Sequence, residues 1–298
     1  MPALCLAVLA VACGEPVSSH APGPPGAEAQ RIVSLNPSLT AILLALGAGD
    51  RLVGVDDFSA RQLEEVAHLP RVGGLFNPSL EGVVALEPDA VVVVPSVEQR
   101  DLRSRLEGMH IRVLAFENIR FDQVLANIAG LGELVGRQPQ AERRIETIRR
   151  TRSAVTRATA GRRRVPMIMV IQRDPIFIVG SGSFIAEMLT AVGADNLGAE
   201  FDDAYPRVAV EWLLAAAPEV LLDLTPESQE PLAYWSRWPA LPAVVSGRVL
   251  RLDPERVTLP GPQLDDSLEA LAIALHGPAI GGDIAAGVRT GGRGGEGG

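Results

Sequence analysis

From Arg31 onward, short apolar runs alternate with capped amphipathic stretches. "RIVSL" (31–35) reads as a strand. "NPSLTAILLALGAG" (36–49) reads as a helix, with Asn36 as N-cap, Pro37 at the first helical position and Gly47 near its stop. "RLVGV" (51–55) is the next strand, and a long loop (56–76) follows. "NPSL" then recurs at 77–80, predicting a second helix that starts with Asn77 as cap and ends near Pro88. The wholly apolar "AVVVV" (90–94) predicts a buried central strand, a polar helix is expected over 97–108, and "IRVLAF" (111–116) is another strand. Strands alternating with helices at this rhythm predict a parallel sheet covered on both faces.

Strand signal almost vanishes from Asp122 to Ala160, where 138–160 reads as one long charged helix with sparse apolar positions. A helix that is polar nearly all round often bridges domains. The earlier pattern then restarts. "VPMIMVI" (165–171) is a strand, and "FIAEMLTAVGADN" (184–196) parallels residues 39–50, with Gly193 matching Gly47. "VEWLLAAAPEVLLDL" (210–224) repeats "LEGVVALEPDAVVVV" (80–94). A late strand (248–252) and a closing helix (263–275) complete it. The chain reads as a duplicated α/β unit: two Rossmann-like lobes with parallel central sheets, joined by a single long helix. The expected boundaries are an N-terminal lobe over 31–120, a connecting helical segment over 121–161, a C-terminal lobe over 162–277 and a disordered Gly-rich tail over 278–298.

Length and composition agree with two lobes. The chain has 298 residues, more than a single core usually supports, and 47% of them are hydrophobic. Net charge is −9, against a nucleic-acid partner, whose phosphates would call for a basic surface. All 27 basic residues are arginine, and the clusters at 149–152 and 162–164 read as a solvated helix face and a helix end. The opening "MPALCLAVLAVAC" is too short to span a bilayer as a helix, which needs about 20 residues, and reads as an export signal. Its end, "LAVAC" before Gly14, resembles a bacterial lipoprotein box, which implies acylation of Cys13. Cys5 and Cys13 are the only cysteines, so no disulfide framework is available downstream. Residues 14–30, rich in Pro, Gly, Ser and Ala, read as a flexible tether.

The repeated phrase holds a glutamate at the same place in each copy, Glu81 and Glu211. In each helix the apolar stripe (Leu80, Val83 and Val84; Val210, Leu213 and Leu214) leaves that glutamate facing out. A lone first-turn glutamate is accounted for by the helix dipole, worth about 0.3–1 kcal/mol. Two at equivalent points of two lobes make a docking role as good an account. Catalysis finds little support. The doublets Asp56–Asp57, Asp202–Asp203 and Asp265–Asp266 have no histidine nearby, and His20, His68, His110 and His276 are not at metal-ligand spacing. "GSGSF" (180–184) lacks the third glycine of a dinucleotide loop and reads as a helix cap. The "YWSRW" run (234–238) reads as a packed short helix.

The order lipobox, tether, "RIVSLNPSLTAILLALG", "LPRVGGLFNPSLEGVVALEPDAVVV", long helix, "AVEWLLAAAPEVLL" and "LPGPQLDDSLEALAIAL" resembles the periplasmic binding proteins for cobalamin and ferric siderophores. These are the substrate-capture subunits of ABC importers. The resemblance covers residues 31–276 and implies a monomer that performs no catalysis, needs no cofactor and hands a small ligand to a membrane permease. It also implies that one backbone helix limits lobe motion, and that Glu81 and Glu211 meet permease arginines through charge-assisted bonds of about 1.5–3 kcal/mol each before desolvation. The ligand cleft should lie where loops of both lobes meet. The first lobe offers Phe58, Leu75 and Phe76, and the second offers Arg173, Phe177, Tyr205, Arg207, Glu255 and Arg256. Aromatic rings there would suit a corrin plane, and arginines would suit a siderophore, so the ligand stays open between the two. Two competing readings are an enzyme on a double Rossmann-like scaffold, such as a chelatase, and a permease-independent heme or chelate scavenger.

Overall fold

The computed structural model describes residues 27–96, 100–225 and 230–291. The export signal, Cys13 and most of the tether lie outside the described residues. In the first lobe, β1 (Ile32–Ser34) leads through α1 (Pro37–Ala45) to β2 (Leu52–Val55) and α2 (Asp57–Gln62). After these come α3 (Leu80–Ala85), β3 (Ala90–Val93), α4 (Arg100–Gly108) and β4 (Arg112–Ala115). The four strands form a parallel sheet in the order β2-β1-β3-β4. β3 is buried at every position, as an all-apolar central strand must be.

The connection consists of two helices: α5 (Phe121–Leu134), and α6 (Gln138–Thr159) with 22 residues. α6 buries Ala141, Ile145, Ile148, Thr151, Ala154 and Val155 as one stripe while its arginines ring the other faces. Arg162 and Arg163 follow the helix and pair with Asp283 and Glu219 on the surface.

The second lobe contains β5 (Val165–Arg173), β6 (Ile176–Ile178), α7 (Phe184–Ala191), β7 (Ala194–Asn196), α8 (Val210–Ala216) and β8 (Val220–Asp223). It continues through α9 (Pro231–Trp235), α10 (Pro242–Val245), β9 (Val249–Arg251), α11 (Pro254–Thr258), α12 (Leu264–His276) and α13 (Ala279–Gly291). Its parallel strands run β7-β5-β8-β9, the first lobe's order repeated. The duplication extends to single turns. α3 and α8 are each followed by a left-handed residue before a proline, Glu87 (φ 46°) and Ala217 (φ 48°).

Four expectations are corrected. The second lobe's sheet is not wholly parallel, because the nine-residue β5 outlasts β7 and its far half pairs antiparallel with β6. The loop 56–76 contains the short helix α2. Ser79, not Asn77, caps α3: its Oγ accepts from the Gly82 N–H at 3.0 Å. The residues before it are held extended, with Pro78 bridged to Gly73 and the Ser79 N–H bonded to the Val72 carbonyl at 2.7 Å. Gly73 permits this at φ 103°, where a Cβ would lie 2.9 Å from the Asn77 carbonyl oxygen. Finally, residues 279–291 of the expected disordered tail form α13. Glycine weakens an isolated helix by about 1 kcal/mol per residue. Here Ile280 and Ile284 are buried, and Gly287 packs so closely on α6 that a Cβ would lie 3.1 Å from that of Ala154. No helix among the described residues is long and apolar enough to cross a membrane.

Candidate functional site

Segments just beyond the carboxyl ends of strands from both sheets face each other across a cleft of about 570 Å³. Crevices at strand carboxyl ends are the usual ligand sites of open α/β sheets. The first lobe supplies Asn36 after β1, Phe58 and Gln62 of α2, Leu75, and Asn118 after β4; the second supplies Arg251 at the end of β9, then Asp253, Glu255 and Thr258. The first wall carries amides and apolar side chains without a charge, whereas the second carries one guanidinium and two carboxylates.

Capping chemistry holds these side chains in place. Asn36 Oδ1 accepts from the Ser38 N–H (3.0 Å) and hydroxyl (2.7 Å), and Asn118 Nδ2 donates to Ser38 Oγ (3.2 Å), so two cleft residues share one partner. Asp253 caps α11 by accepting from the Glu255 N–H at 3.1 Å. Asp56 caps α2, accepting from the N–H groups of Phe58 (2.8 Å) and Ser59 (3.0 Å) and from the Ser59 hydroxyl. Thr40 Oγ1 continues this buried polar chain to Ser59 and Ser34 at 3.0 and 2.8 Å. The Phe58 ring is thereby presented at the cleft, with the Arg61 guanidinium 4.5 Å from its centroid.

Burial pushes the Asp56 carboxyl up, and its hydrogen bonds with Ser59 and Phe58 pull the other way. A carboxyl raised in the folded state contributes stability that is fully present below its unfolded pKa and is lost as pH rises through the folded one. Asp56→Asn keeps an oxygen for the two N–H groups and removes the charge. Its unfolding free energy in urea should therefore gain on that of the wild type as pH rises from the acid limit to neutrality. A pH-independent difference would contradict the burial argument.

Of the residues expected from sequence, Phe58, Leu75 and Glu255 come together in the cleft wall. Phe76 is 66% exposed beside Leu75, and Arg256 is exposed beside Glu255, both outside the wall. Phe177, Tyr205 and Arg207 also lie outside it; Phe177 and Arg207 are joined by a backbone bridge. Arg173 is a correction. Its side chain is 1% exposed, with Nε 2.8 Å from Asp223 Oδ2 and its guanidinium 4.5 Å above the Tyr234 ring. Asp223 also accepts from Trp235 Nε1 (2.6 Å) and the Thr225 N–H (2.9 Å), so a charge expected to meet ligand instead fastens α9 to the sheet. Trp235 is fully buried, but the short helix expected over 234–238 is α9 (Pro231–Trp235), which ends within "YWSRW". Asn36, Gln62, Asn118, Arg251, Asp253 and Thr258 were missed by sequence reasoning. The available signal was their position at the end of a predicted strand (Arg251) or one to seven residues beyond one.

Glu81 and Glu211 are both exposed in the first turns of α3 and α8. Their helices bury Leu80 and Val83, and Leu213; Val210 is only half-buried. In "GSGSF", Ser183 caps α7 by accepting from the Ala186 N–H at 3.2 Å, as expected of a structural turn. Among the described residues, no group of three His, Cys, Asp or Glu side chains is arranged to hold a metal ion.

Comparisons with known proteins agree with this architecture. The chain is 27% identical over 256 residues to the uncharacterized ABC transporter substrate-binding lipoprotein YvrC of Bacillus subtilis, covering 84% of this chain and 81% of that one. The solved periplasmic vitamin B12 binding protein BtuF of Vibrio cholerae superposes with a TM-score of 0.72 at 24% identity, covering 83% of this chain and 96% of its own. The periplasmic heme-binding protein RhuT of Roseiflexus sp. gives 0.73 at 24% identity, with 86% and 99% covered. These are binding proteins, not enzymes, and the reading of a chain without catalysis holds. With two topologically repeated lobes, a cleft between their strand ends and a family model matching residues 32–256, the chain belongs to the periplasmic binding protein family.

Proposed function

We propose that this protein is the ligand-capturing component of an ABC importer, taking a corrinoid or ferric chelate into the cleft and delivering it to a membrane permease. It acts as a monomer in the cell envelope, held to the membrane by a lipid on Cys13. The observation that carries the reading is the cleft itself: about 570 Å³ between two lobes, with an exposed glutamate on the repeated helix of each. This volume falls in the range of small-molecule sites. The name of the Bacillus relative adds support for an importer, and those of the solved neighbours for a planar tetrapyrrole-like or iron-bearing ligand.

Between the two ligand classes, the lining favours a corrinoid. A wall lined by amides and apolar side chains, facing a wall with more carboxylates than guanidinium groups, suits a ligand whose rim presents amides. The same carboxylates repel the propionates of heme and the net negative charge of a tris-catecholate iron complex. Titration followed by tryptophan fluorescence is expected to show cyanocobalamin binding at least about tenfold tighter than heme or ferric enterobactin, the equivalent of ~1.4 kcal/mol. Phe58→Ala should weaken that binding by about tenfold through loss of ring contact. Failure of cyanocobalamin and of neutral ferric hydroxamates alike to bind would refute the reading. A permease-independent scavenger would bind the same ligand yet leave uptake unchanged on deletion of the gene.

A further inference from the structure

Behind the cleft, a carboxylate of the second lobe reaches out of its own lobe. Glu187 lies in the first turn of α7, and its Oε1 is 2.9 Å from Arg120 Nε and accepts from the Phe121 N–H at 3.4 Å. Its Oε2 lies 3.9 Å from Arg152 Nη2 on α6. The Arg152 guanidinium covers the fully buried Phe121 ring at 4.3 Å and approaches Asp122 Oδ1 at 3.7 Å. One half-buried carboxylate therefore meets donors from the start of α5 and the middle of α6.

These donors belong to the framework of the first lobe and the connection. α5 packs on α1, and its last residue, Leu134, accepts from the Ala29 N–H at 2.8 Å where the chain enters the first lobe. Two residues before Arg120 stands Asn118, a cleft residue tied to Ser38. The apolar core beneath runs without a break from Leu39 and Ile42 through Phe121 and Ile148 to Phe184 and Met188. Such packing resists separation of the lobes, and directional contacts across it add to what fixes their relative angle. Charge-assisted hydrogen bonds are directional, and here they cross from one lobe to the other.

We propose that Glu187 is a positioning residue that fixes the angle between the lobes, and through it the cleft width and the spacing of Glu81 and Glu211. The effect on the last spacing rests on the docking reading above; the lobe angle does not. With its Arg120 partner exposed to solvent, this pair adds little to stability. Breaking this pair should loosen orientation while leaving the fold intact.

The test uses the full-length chain with Cys5→Ser and Cys13→Ser, spin-labelled at Ala67→Cys in the first lobe and Ala233→Cys in the second, both exposed positions. Double electron–electron resonance on the unliganded protein reads the interlobe distance without ligand or permease. The parent should give one narrow distribution. Glu187→Gln and, separately, Arg120→Gln should each broaden it about twofold, the expectation for releasing a hinge, with far-UV circular dichroism unchanged. Arg120 is exposed, so its variant carries the test if Glu187→Gln misfolds. Unchanged distributions in both variants would overturn the proposal. Broadening in Glu187→Gln alone would also overturn it, since the carboxylate would then act only within its own lobe.

Discussion

Replacing Glu81 and Glu211 together by alanine is expected to abolish ligand uptake by cells while changing ligand affinity of the isolated protein by less than about twofold. Both carboxylates are exposed, and neither lines the cleft. Each stands on the first turn of a short helix whose opposite side is packed into its lobe, so neither needs ordering before it meets a partner. Two directional carboxylate–guanidinium contacts on separate lobes would fix both the position and the rotation of the docked protein. Removal of one should weaken uptake, and removal of both should leave no orienting contact of this kind. Transport of radiolabelled ligand, read beside a binding isotherm, separates docking from capture. A double variant that transports normally would refute the docking role, and one that loses affinity would place the glutamates at the ligand.

The second large effect lies in the buried pair of the second lobe. Arg173→Met should lower the unfolding free energy by about 3–5 kcal/mol, because Asp223 is then left buried without its counter-charge. The side chains are 1% and 0% exposed, so water cannot screen or replace the lost partner. Asp223→Leu should be similarly costly, since it removes the counter-charge of the guanidinium and the acceptor of the Trp235 indole N–H and the Thr225 N–H. The double variant should recover much of the loss, leaving the indole and the Thr225 N–H without that acceptor. Urea denaturation of the three variants measures this cycle. A cost below about 1 kcal/mol for Arg173→Met would mean that the site relaxes to admit water.

The misassigned Arg173 shows where reading by residue type stops. In sequence it stands two residues beyond a predicted strand, in a loop, the position of a ligand contact. Its partner lies 50 residues away, and only the pairing of β5 with β8 brings the two together. Asn77 was misread for a related reason. "NPSL" is a good cap signal at both places, and Asn36 does cap α1. At the second occurrence the extended segment held against Val72 and Gly73 delays the helix by two residues. The Gly-rich end of the chain was read from propensity, whereas α13 exists because it packs on α6.

By itself, the sequence determined the duplication, the alternation of strands and helices, the long arginine-rich connecting helix and the outward position of Glu81 and Glu211. Those features are set within about fifteen residues, by hydrophobic period, capping and proline placement, and the chain carries that information locally. The tertiary structure alone decided which loop residues meet across the cleft, which charge lines the cleft and which is buried, and that Glu187 reaches across the lobes. These depend on contacts between residues 50 to more than 200 positions apart, such as Arg173 with Asp223 and Asn36 opposite Glu255. No local pattern records such a pairing, because the free energy that selects it comes from burial and charge compensation arising only once both sheets have formed.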